Sequence, residues 1–394
     1  MLERIPATRH RAGLATALLV LATGACAAPE PAPPQPRPAR LAQAPQPPQR
    51  IAEPPSGERG ATPSSSVFYR MGGEPLTDVT FGMTVSTDPG RGNVFWSNQF
   101  GFTSHNGYTG MQAHADGRGM FVFTVWGAAD ARPGKDGATC LTDADGLPGR
   151  SCRIDKRFAR DHLYLFHLLP DGDGWYQARV EDTTDRKTMT IGSIKVDSGA
   201  TIKPDSLTNW VDYWDWNNRA ATCLDEPYSV ARFEVPRANA GSVTGAVTES
   251  KISGSCPKQV EVTVGSDDTG QDSTHRLGIG NSVGDRITTP DGRCLTAGAS
   301  SAGVGGCDRK RNQAWVAAAD RTLRADFTCL TATGSAEVEA AACDGSPAQE
   351  WARVPNGPIT NRATERCLTV IEDYTALRPC AGSAAQQWTG PGDK

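Results

Sequence analysis

The stretch CLTAGASSAGVGGCDRKRNQAW at positions 294–315 is followed by two further copies of the same pattern. The second copy is CLTATGSAEVEAAACDGSPAQEW at 329–351, and the third is CLTVIEDYTALRPCAGSAAQQW at 367–388. Each copy begins with Cys-Leu-Thr, has a second cysteine 13 or 14 residues later, and ends in Gln-x-Trp. A unit of this length cannot bury its own apolar face, so the copies must share one core. The repeat therefore predicts a domain with threefold pseudo-symmetry.

The three Gln-x-Trp motifs with in-phase cysteine pairs closely resemble the ricin-type β-trefoil, also called the R-type lectin domain. We assign this domain to residues 278–394. The resemblance implies that each lobe closes its own disulfide and that the Gln-x-Trp residues form the shared core. The implied disulfides are Cys294–Cys307, Cys329–Cys343 and Cys367–Cys380.

The residues that usually contact sugar in this family are largely replaced here. A sugar-binding lobe usually offers an Asp that accepts hydrogen bonds from sugar hydroxyls, an aromatic ring that stacks on the sugar, and an Asn just before the Gln. Threonine stands at the Asp position in every lobe, and only Asn312 remains of the three Asn residues. The candidate sugar ligands are Asp308 and Asn312 in the first lobe and Asp373 and Tyr374 in the third. The alternative is a spacer or a protein-contact module.

Residues 67–277 contain short β-rich runs separated by Gly, Asp, Asn and Pro, which predict a jelly-roll-like β-sandwich. The runs are 79–85, 93–102, 108–115, 120–126, 162–169, 175–181, 189–196 and 231–235. In WYQARVE at 175–181, strand alternation predicts that Tyr176, Ala178 and Val180 face the core. GYTGMQ at 107–112, followed by FVFTVW at 121–126, resembles a bacterial β-sandwich family of unknown function. This resemblance implies a fold and no activity. With a β-sandwich followed by a β-trefoil, the fold class is expected to be all-β.

The segment NWVDYWDWNN at 209–218 is unusually rich in aromatic and acidic residues. Aromatic rings beside carboxylates suit a sugar groove or a glycosidase, so Trp210 and Trp214 are further candidate sugar ligands. If the segment is an alternating strand, Asp212 and Asp215 lie on opposite faces and do not converge. A structural role in covering the sandwich is the plainer interpretation, and we assign no catalytic residue.

Cysteine content and charge exclude some classes of function. Eleven cysteines indicate an oxidising compartment. If Cys26, near the N-terminus, does not take part in a disulfide, the other ten cysteines can all pair. Cys140 with Cys152, and Cys223 with Cys256, are pairs suggested only by proximity, because sequence cannot fix connectivity. A formal net charge of −4 argues against nucleic-acid binding.

Motifs for metal or nucleophilic chemistry are weak. The Asp-x-Asp-Gly sequences at 143–146 and 171–174 look like calcium loops but lack the completing Glu, so we predict no cofactor and keep calcium as a weak possibility. The Gly-x-Ser-x-Gly sequence at 280–284 lacks the strand-to-helix context of a nucleophile elbow and is expected to be a turn.

The N-terminus predicts export. Residues 1–25 combine arginines with a short apolar run, as in a signal peptide, and the sequence Thr-Gly-Ala-Cys ending at Cys26 resembles a bacterial lipobox. Lipidation is therefore expected at Cys26. Residues 26–66 are rich in proline and contain no aromatic residue, which predicts an extended tether.

Together these features predict a surface-tethered lipoprotein that binds carbohydrate or a cell-surface glycan without catalysis. Its contact with the membrane would be through the lipid anchor only, and without the lipid it would be secreted. One alternative is a secreted polysaccharide-active enzyme with a trefoil carbohydrate-binding module. The other is a protein-partner or toxin-type binding subunit. The sequence leaves the ligand and the oligomeric state open.

Overall fold

The computed structural model of the chain describes residues 60–73, 75–265, 271–298 and 301–393. It is all-β, with a two-sheet sandwich followed by a trefoil. The helical segments of the described residues are four 3₁₀ turns, Trp214–Asn217, Arg311–Gln313, Pro347–Gln349 and Ala384–Gln386. No helix in this part of the chain has the length and apolarity needed to cross a membrane. Positions 1–59, which include the predicted signal peptide, Cys26 and most of the predicted tether, lie outside the described residues.

In the described part of the sandwich there are eighteen strands. They are β1 (Ser64–Arg70), β2 (Val79–Thr87), β3 (Val94–Gly101), β4 (Asn106–Ala113), β5 (Gly119–Trp126), β6 (Asp130–Pro133), β7 (Thr139–Ala144), β8 (Leu147–Asp155), β9 (Leu163–Pro170), β10 (Trp175–Asp182), β11 (Lys187–Lys195), β12 (Leu207–Tyr213), β13 (Ser229–Phe233), β14 (Arg237–Ala238), β15 (Val243–Thr244), β16 (Ala246–Ile252), β17 (Val260–Val264) and β18 (Ser273–Leu277). The first sheet has the order β16-β1-β12-β3-β4-β5-β8-β7. The second has the order β17-β18-β13-β2-β9-β10-β11-β6, with β14 and β15 attached beside β2.

The core of the sandwich lies between the two sheets and is rich in fully buried aromatic side chains. Trp96, Phe100 and Phe123 come from the first sheet, and Phe81 and Phe166 come from the second. Stacking two sheets in this way removes one face of each from water, which is the main stabilising term for an all-β domain.

All eight predicted runs are strands in the structure, with ends that differ from the prediction by at most two residues. Strand β10 also has the predicted alternation, since Tyr176, Ala178 and Val180 are buried in the core. Strand β1 begins at Ser64, within the segment predicted as tether, and pairs with β12 and β16 on either side. Its opening Ser-Ser-Ser has little β propensity by itself, so its place in the sheet depends on these two partners.

The described residues of the trefoil form ten strands. They are β19 (Cys294–Thr296), β20 (Gly303–Gly305), β21 (Val316–Ala317), β22 (Leu323–Ala325), β23 (Thr328–Thr333), β24 (Glu337–Ala341), β25 (Trp351–Arg353), β26 (Ile359–Asn361), β27 (Cys367–Ile371) and β28 (Tyr374–Arg378). One core cluster contains Trp315, Trp351 and Trp388, each at most 3% exposed. The three repeated tryptophans therefore fill a single shared core.

Five disulfides join the described cysteines. Cys140–Cys152 links the adjacent strands β7 and β8, and Cys223–Cys256 closes a loop at one end of the sandwich. Cys294–Cys307, Cys329–Cys343 and Cys367–Cys380 each close one trefoil lobe. These are the pairs that proximity and the trefoil resemblance suggested. Such a set of cross-links suits an extracellular protein.

The sandwich and the trefoil meet through a short parallel bridge between Gly90 and Gly284. Gly90 has a φ of 72°, and a Cβ at this position would lie 2.1 Å from the Gly284 carbonyl oxygen. Glycine is therefore required both by the backbone conformation and by the close approach. The predicted turn at 280–284 forms part of this junction, where Ser282 Oγ accepts a hydrogen bond of 2.9 Å from the Ala317 N–H.

Candidate functional site

Each trefoil lobe contains the same hydrogen-bond network around its Gln-x-Trp glutamine. The glutamine Nε2 donates to the hydroxyl of the threonine in Cys-Leu-Thr, and to a carbonyl beside the second cysteine. The glutamine Oε1 accepts a hydrogen bond from the backbone N–H of the residue directly after the second cysteine, at 2.7–2.8 Å. The glutamine–threonine pairs, with nitrogen–oxygen distances of 2.9, 3.0 and 2.9 Å, are Gln313–Thr296, Gln349–Thr331 and Gln386–Thr369.

The tryptophans complete this network from the core side. Each indole N–H donates to the carbonyl of the leucine in the same Cys-Leu-Thr, at 2.8–2.9 Å. The Gln-x-Trp residues thus hold the two ends of each lobe together. The threonines that replace the family's usual Asp are occupied as acceptors for glutamine, so they belong to the scaffold.

The two candidates of the first lobe have different surroundings. Asp308 lies next to the sandwich, where its carbonyl accepts from Arg91 Nη1 at 3.2 Å and from Arg286 Nη2 at 2.8 Å. Its carboxylate accepts from the Lys310 backbone N–H at 2.8 Å, which is the main reason that the pKa of Asp308 is lowered. Asn312 donates from Nδ2 to the Ala297 carbonyl at 3.3 Å. Its Oδ1 is buried without a hydrogen-bond partner among the described residues.

The two candidates of the third lobe lie at a hairpin tip. Asp373 and Tyr374 are exposed at the turn between β27 and β28, and Tyr374 is 43% exposed. This hairpin contacts the first lobe, because the Val304 N–H donates to the Asp373 carbonyl at 2.8 Å. No described contact joins the side chain of Asp373 or Tyr374 to Asp308 or Asn312.

A groove lies on the outer face of the first sandwich sheet, opposite the core. Its volume is about 680 Å³, and it is lined by outward residues of β1 and β12, by the ends of β3 and β5, and by residues 251–255. Trp210 lines the groove from β12, where its register partners are Ser66 on β1 and Ser97 on β3. Trp210 was predicted from the sequence as a sugar ligand, whereas the participation of Gln99, Trp126 and Lys251 was not.

The aromatic residues of this face form a connected cluster. The rings of Phe95 and Trp210 meet edge to face with centroids 4.8 Å apart, and Tyr108 meets Phe95 at 5.1 Å and Trp126 at 5.2 Å. The Tyr108 hydroxyl donates to the carboxylate of Asp145 at 2.8 and 2.9 Å. Burial raises the pKa of Tyr108 well above its usual range, so the phenol remains a proton donor.

Trp214 does not belong to this groove. Strand β12 ends at Tyr213, and Trp214 begins the 3₁₀ turn Trp214–Asn217, where its ring packs edge to face on His114 at 4.9 Å. The prediction of an alternating strand through 209–218 is therefore wrong beyond Tyr213. The physical reason is the Asp215 carboxylate, which accepts from Asn93 Nδ2 at 3.0 Å and from Arg311 of the trefoil at 2.7 Å. These contacts hold the turn against the junction between the domains.

The carboxylates of Asp212 and Asp215 consequently line different cavities. Asp212 lines the groove, whereas Asp215 lines a small cavity between sandwich and trefoil together with Arg311 and Glu226. Glu226 is 1% exposed, and its burial raises the pKa of its carboxyl well above its usual range, helped by the nearby Asp215. The Asp212–Asp215 pair thus lacks the convergent arrangement that a glycosidase requires.

The weak calcium loops serve other contacts. Asp171 accepts from Ser193 Oγ at 2.6 Å, and Asp145 accepts from Tyr108. Among the described residues, the group with metal-ligand geometry is His162 with Asp182 and Asp185. His162 Nδ1 lies 2.9 Å from Asp182 Oδ2, so this group already forms an internal pair.

Comparison with known proteins identifies the C-terminal region. Residues 285–388 match the family model described as the ricin-type β-trefoil lectin domain. No curated protein matches the chain. Among solved structures, the chain is similar to the agglutinin from Abrus precatorius, with 24% identity over 28% of this chain and 48% of that chain, at a TM-score of 0.26. It therefore spans about half the length of that agglutinin.

Two other similarities cover nearly the whole of the matched protein. The β-trefoil lectin of the Vibrio vulnificus hemolysin/cytolysin, solved with N-acetyl-D-lactosamine bound, has 15% identity over 29% of this chain and 96% of that chain, at a TM-score of 0.26. Scytalido-glutamic peptidase has 8% identity over 56% of this chain and 99% of that chain, at a TM-score of 0.33. The family match and the three-lobed fold lead to one assignment: residues 285–388 of this chain are a ricin-type β-trefoil lectin domain.

Proposed function

We propose that this protein is an exported carbohydrate-binding protein whose trefoil contacts sugar through its first lobe. The observation that carries the proposal is the ricin-type lectin domain at 285–388, in which the first lobe keeps Asn312. Buried polar atoms are normally hydrogen-bonded, and an unpaired one costs about 1–3 kcal/mol. Asn312 Oδ1 is shielded from solvent, so the side chain would have to rotate outward before a sugar hydroxyl could donate to this atom.

The other two lobes offer less. Alanine stands at the corresponding position in each of them, as Ala348 and Ala385, so neither lobe has an amide there. The exposed Tyr374 could stack on a sugar by itself, but it lines neither the groove on the sandwich nor the small cavity between the domains. The first lobe is therefore the favoured site.

Asn312→Ala is the variant that tests this site, with Tyr374→Ala as its counterpart in the third lobe. We expect Asn312→Ala to weaken glycan binding at least about tenfold, because it removes a hydrogen-bonding amide worth on the order of 1.4 kcal/mol. Tyr374→Ala should bind as the unmodified chain does. The measurement is binding of the intact, disulfide-bonded protein to an immobilised glycan panel. If only Tyr374→Ala loses glycan binding, the sugar site lies in the third lobe instead.

We further propose that the protein is anchored at the cell surface through a lipid on Cys26. The five disulfides support an extracellular location, and the Thr-Gly-Ala-Cys sequence with its preceding apolar run supports the lipid. The Pro-rich residues that follow would then hold the β domains away from the membrane.

Cys26→Ser should move the protein from the membrane fraction to the soluble exported fraction. A single cysteine carries the whole anchor, so the shift should be nearly complete, and Cys26→Ala should behave in the same way. Fractionation of expressing cells with detection of the chain measures the result. Equal membrane retention of the Cys26→Ser protein would contradict lipidation.

A further inference from the structure

We propose that the groove on the outer face of the first sandwich sheet is a second binding site, which takes a linear, uncharged polysaccharide independently of the trefoil. Its volume of about 680 Å³ lies within the range of about 300–1,000 Å³ that is typical of ligand sites. The groove runs across the strands β1, β12 and β3, so its floor is a rigid sheet. A site built on strands holds its side chains more accurately than a site built on loops.

The aromatic platform of the groove is fixed in position before any ligand binds. Trp210 Nε1 donates to Gln99 Oε1 at 3.1 Å, and Phe95 packs edge to face against the Trp210 ring. Gln99 is 8% exposed and lies on the same face of the neighbouring strand. An aromatic ring that is held in place by a hydrogen bond and an edge contact loses little entropy when a pyranose ring stacks on it.

The polar groups of the groove suit hydroxyls. Ser64, Ser66 and Thr208 point to this face, and their hydroxyls have no hydrogen-bond partner among the described residues. Each hydroxyl can both donate and accept, as the hydroxyls of a sugar also can. Rows of such groups beside an aromatic platform allow many weak hydrogen bonds along a repeating chain.

The charge of the groove points to an uncharged ligand. Asp212 and Lys251 are the two charged residues among the described residues that line it, and they have opposite signs. Lys251 lies over the Phe68 ring at 4.9 Å and 2.9 Å from Glu249, so its charge already has partners within the protein. A strongly anionic polysaccharide would find no cluster of cations here.

The sheet topology favours a polysaccharide over a peptide. Extended peptides usually bind by adding a strand to an open sheet edge, which satisfies their backbone groups. Strands β1 and β12 form the floor beneath Trp210 and are paired on both sides, so this floor has no open edge. The end strand of the sheet is β16, which borders the groove through Lys251 and Ile252 and does not lie under Trp210. A peptide laid across this face would leave many of its N–H and C=O groups without backbone partners, whereas a polysaccharide has no such obligatory groups.

The test uses the intact, disulfide-bonded chain in native gels that contain neutral soluble polysaccharides: a β-glucan, a galactan, a mannan and a xylan. Polygalacturonate serves as the anionic comparison. One or more of the neutral polysaccharides should slow the migration of the intact chain. Trp210→Leu should weaken binding to that polysaccharide by at least about tenfold, because the stacking platform is lost. Trp175→Leu is the matched control, because Trp175 lies on the second sheet and outside the groove, so binding should not change.

A second variant leaves Trp210 in place and fills the groove. Ser66 is the register partner of Trp210 on β1, so Ser66→Arg should block the groove without disturbing the core behind the sheet. It should lose binding as Trp210→Leu does, and thermal unfolding shows whether either protein remains folded. Asn312→Ala, which tests the trefoil, should retain this binding, so failure of the trefoil site and failure of the groove give different results.

Two outcomes would overturn the proposal. If the folded chain binds none of the four neutral polysaccharides, the proposed class of ligand is wrong. If a folded Ser66→Arg protein binds the polysaccharide as well as the intact chain does, the binding site lies outside the groove.

Discussion

Replacing Arg324 by Met should reduce the free energy of unfolding by about 3–5 kcal/mol. Arg324 belongs to trefoil strand β22, but its guanidinium Nη1 donates to Thr222 Oγ1 at 3.0 Å and lies 3.4 Å from Asp225 Oδ1 in the sandwich. Its Nη2 donates to Asp320 at 2.9 Å. The Arg324 and Asp225 side chains are each 6% exposed, so the substitution would leave a buried carboxylate without its cation.

Arg362→Met is the matched control for this prediction. Arg362 pairs with Glu350 at 3.5 Å, but its side chain is 48% exposed, and pairs of this kind contribute about 0–1 kcal/mol. Urea unfolding of the three proteins under oxidising conditions gives the comparison. Equal losses in Arg324→Met and Arg362→Met would show that the buried pair does not hold the two domains together.

Trp388→Ala should cost about 3–5 kcal/mol, because it removes a large side chain from the shared core of the trefoil. Trp388 is 2% exposed, and its indole N–H donates to the Leu368 carbonyl at 2.9 Å. The cavity would lie between lobes that depend on one another for burial. The five disulfides restrict the conformations of the unfolded chain, but they cannot replace the lost packing.

Val354→Ala provides the control for the core substitution. Val354 is 55% exposed, so its loss should change the free energy of unfolding by no more than about 0.5 kcal/mol. Calorimetry can also show whether the trefoil unfolds in a separate transition from the sandwich. A Trp388→Ala protein with the same unfolding profile as Val354→Ala would contradict the central role of the repeated tryptophans.

The trefoil could be predicted from sequence because its signals are local and repeated. Each lobe places two cysteines 13 or 14 residues apart and ends in Gln-x-Trp, so one short window contains both the disulfide and the core residue. The alternation of buried residues in β10 was also visible, because strand geometry alone determines it. These inferences needed no knowledge of distant contacts.

The groove could not be predicted in the same way. Its lining comes from segments that are far apart in sequence, including Ser66, Gln99, Trp210 and Lys251, and only the sheet order brings them together. Trp210 was found because it lies in a conspicuous aromatic segment. Gln99 has no such signal, since its role depends on the register between β3 and β12.

The error at Trp214 has a similar origin. The segment 209–218 has the composition of a strand, but Asp215 bonds to Asn93 and to Arg311, which is 96 residues further along the chain. A contact across a domain junction leaves no periodic pattern, so alternation was extended one turn too far. The same long-range contacts explain why Glu226 could not be recognised from sequence as a buried carboxyl.

The proposed binding of carbohydrate by two separate surfaces can be tested with a single binding series. The intact chain, Asn312→Ala, Trp210→Leu and the double variant would be titrated against the glycans and neutral polysaccharides that the intact chain retains. Each single variant should lose one class of ligand, and the double variant should lose both. If the double variant remains folded and binds as the intact chain does, neither surface is a carbohydrate site.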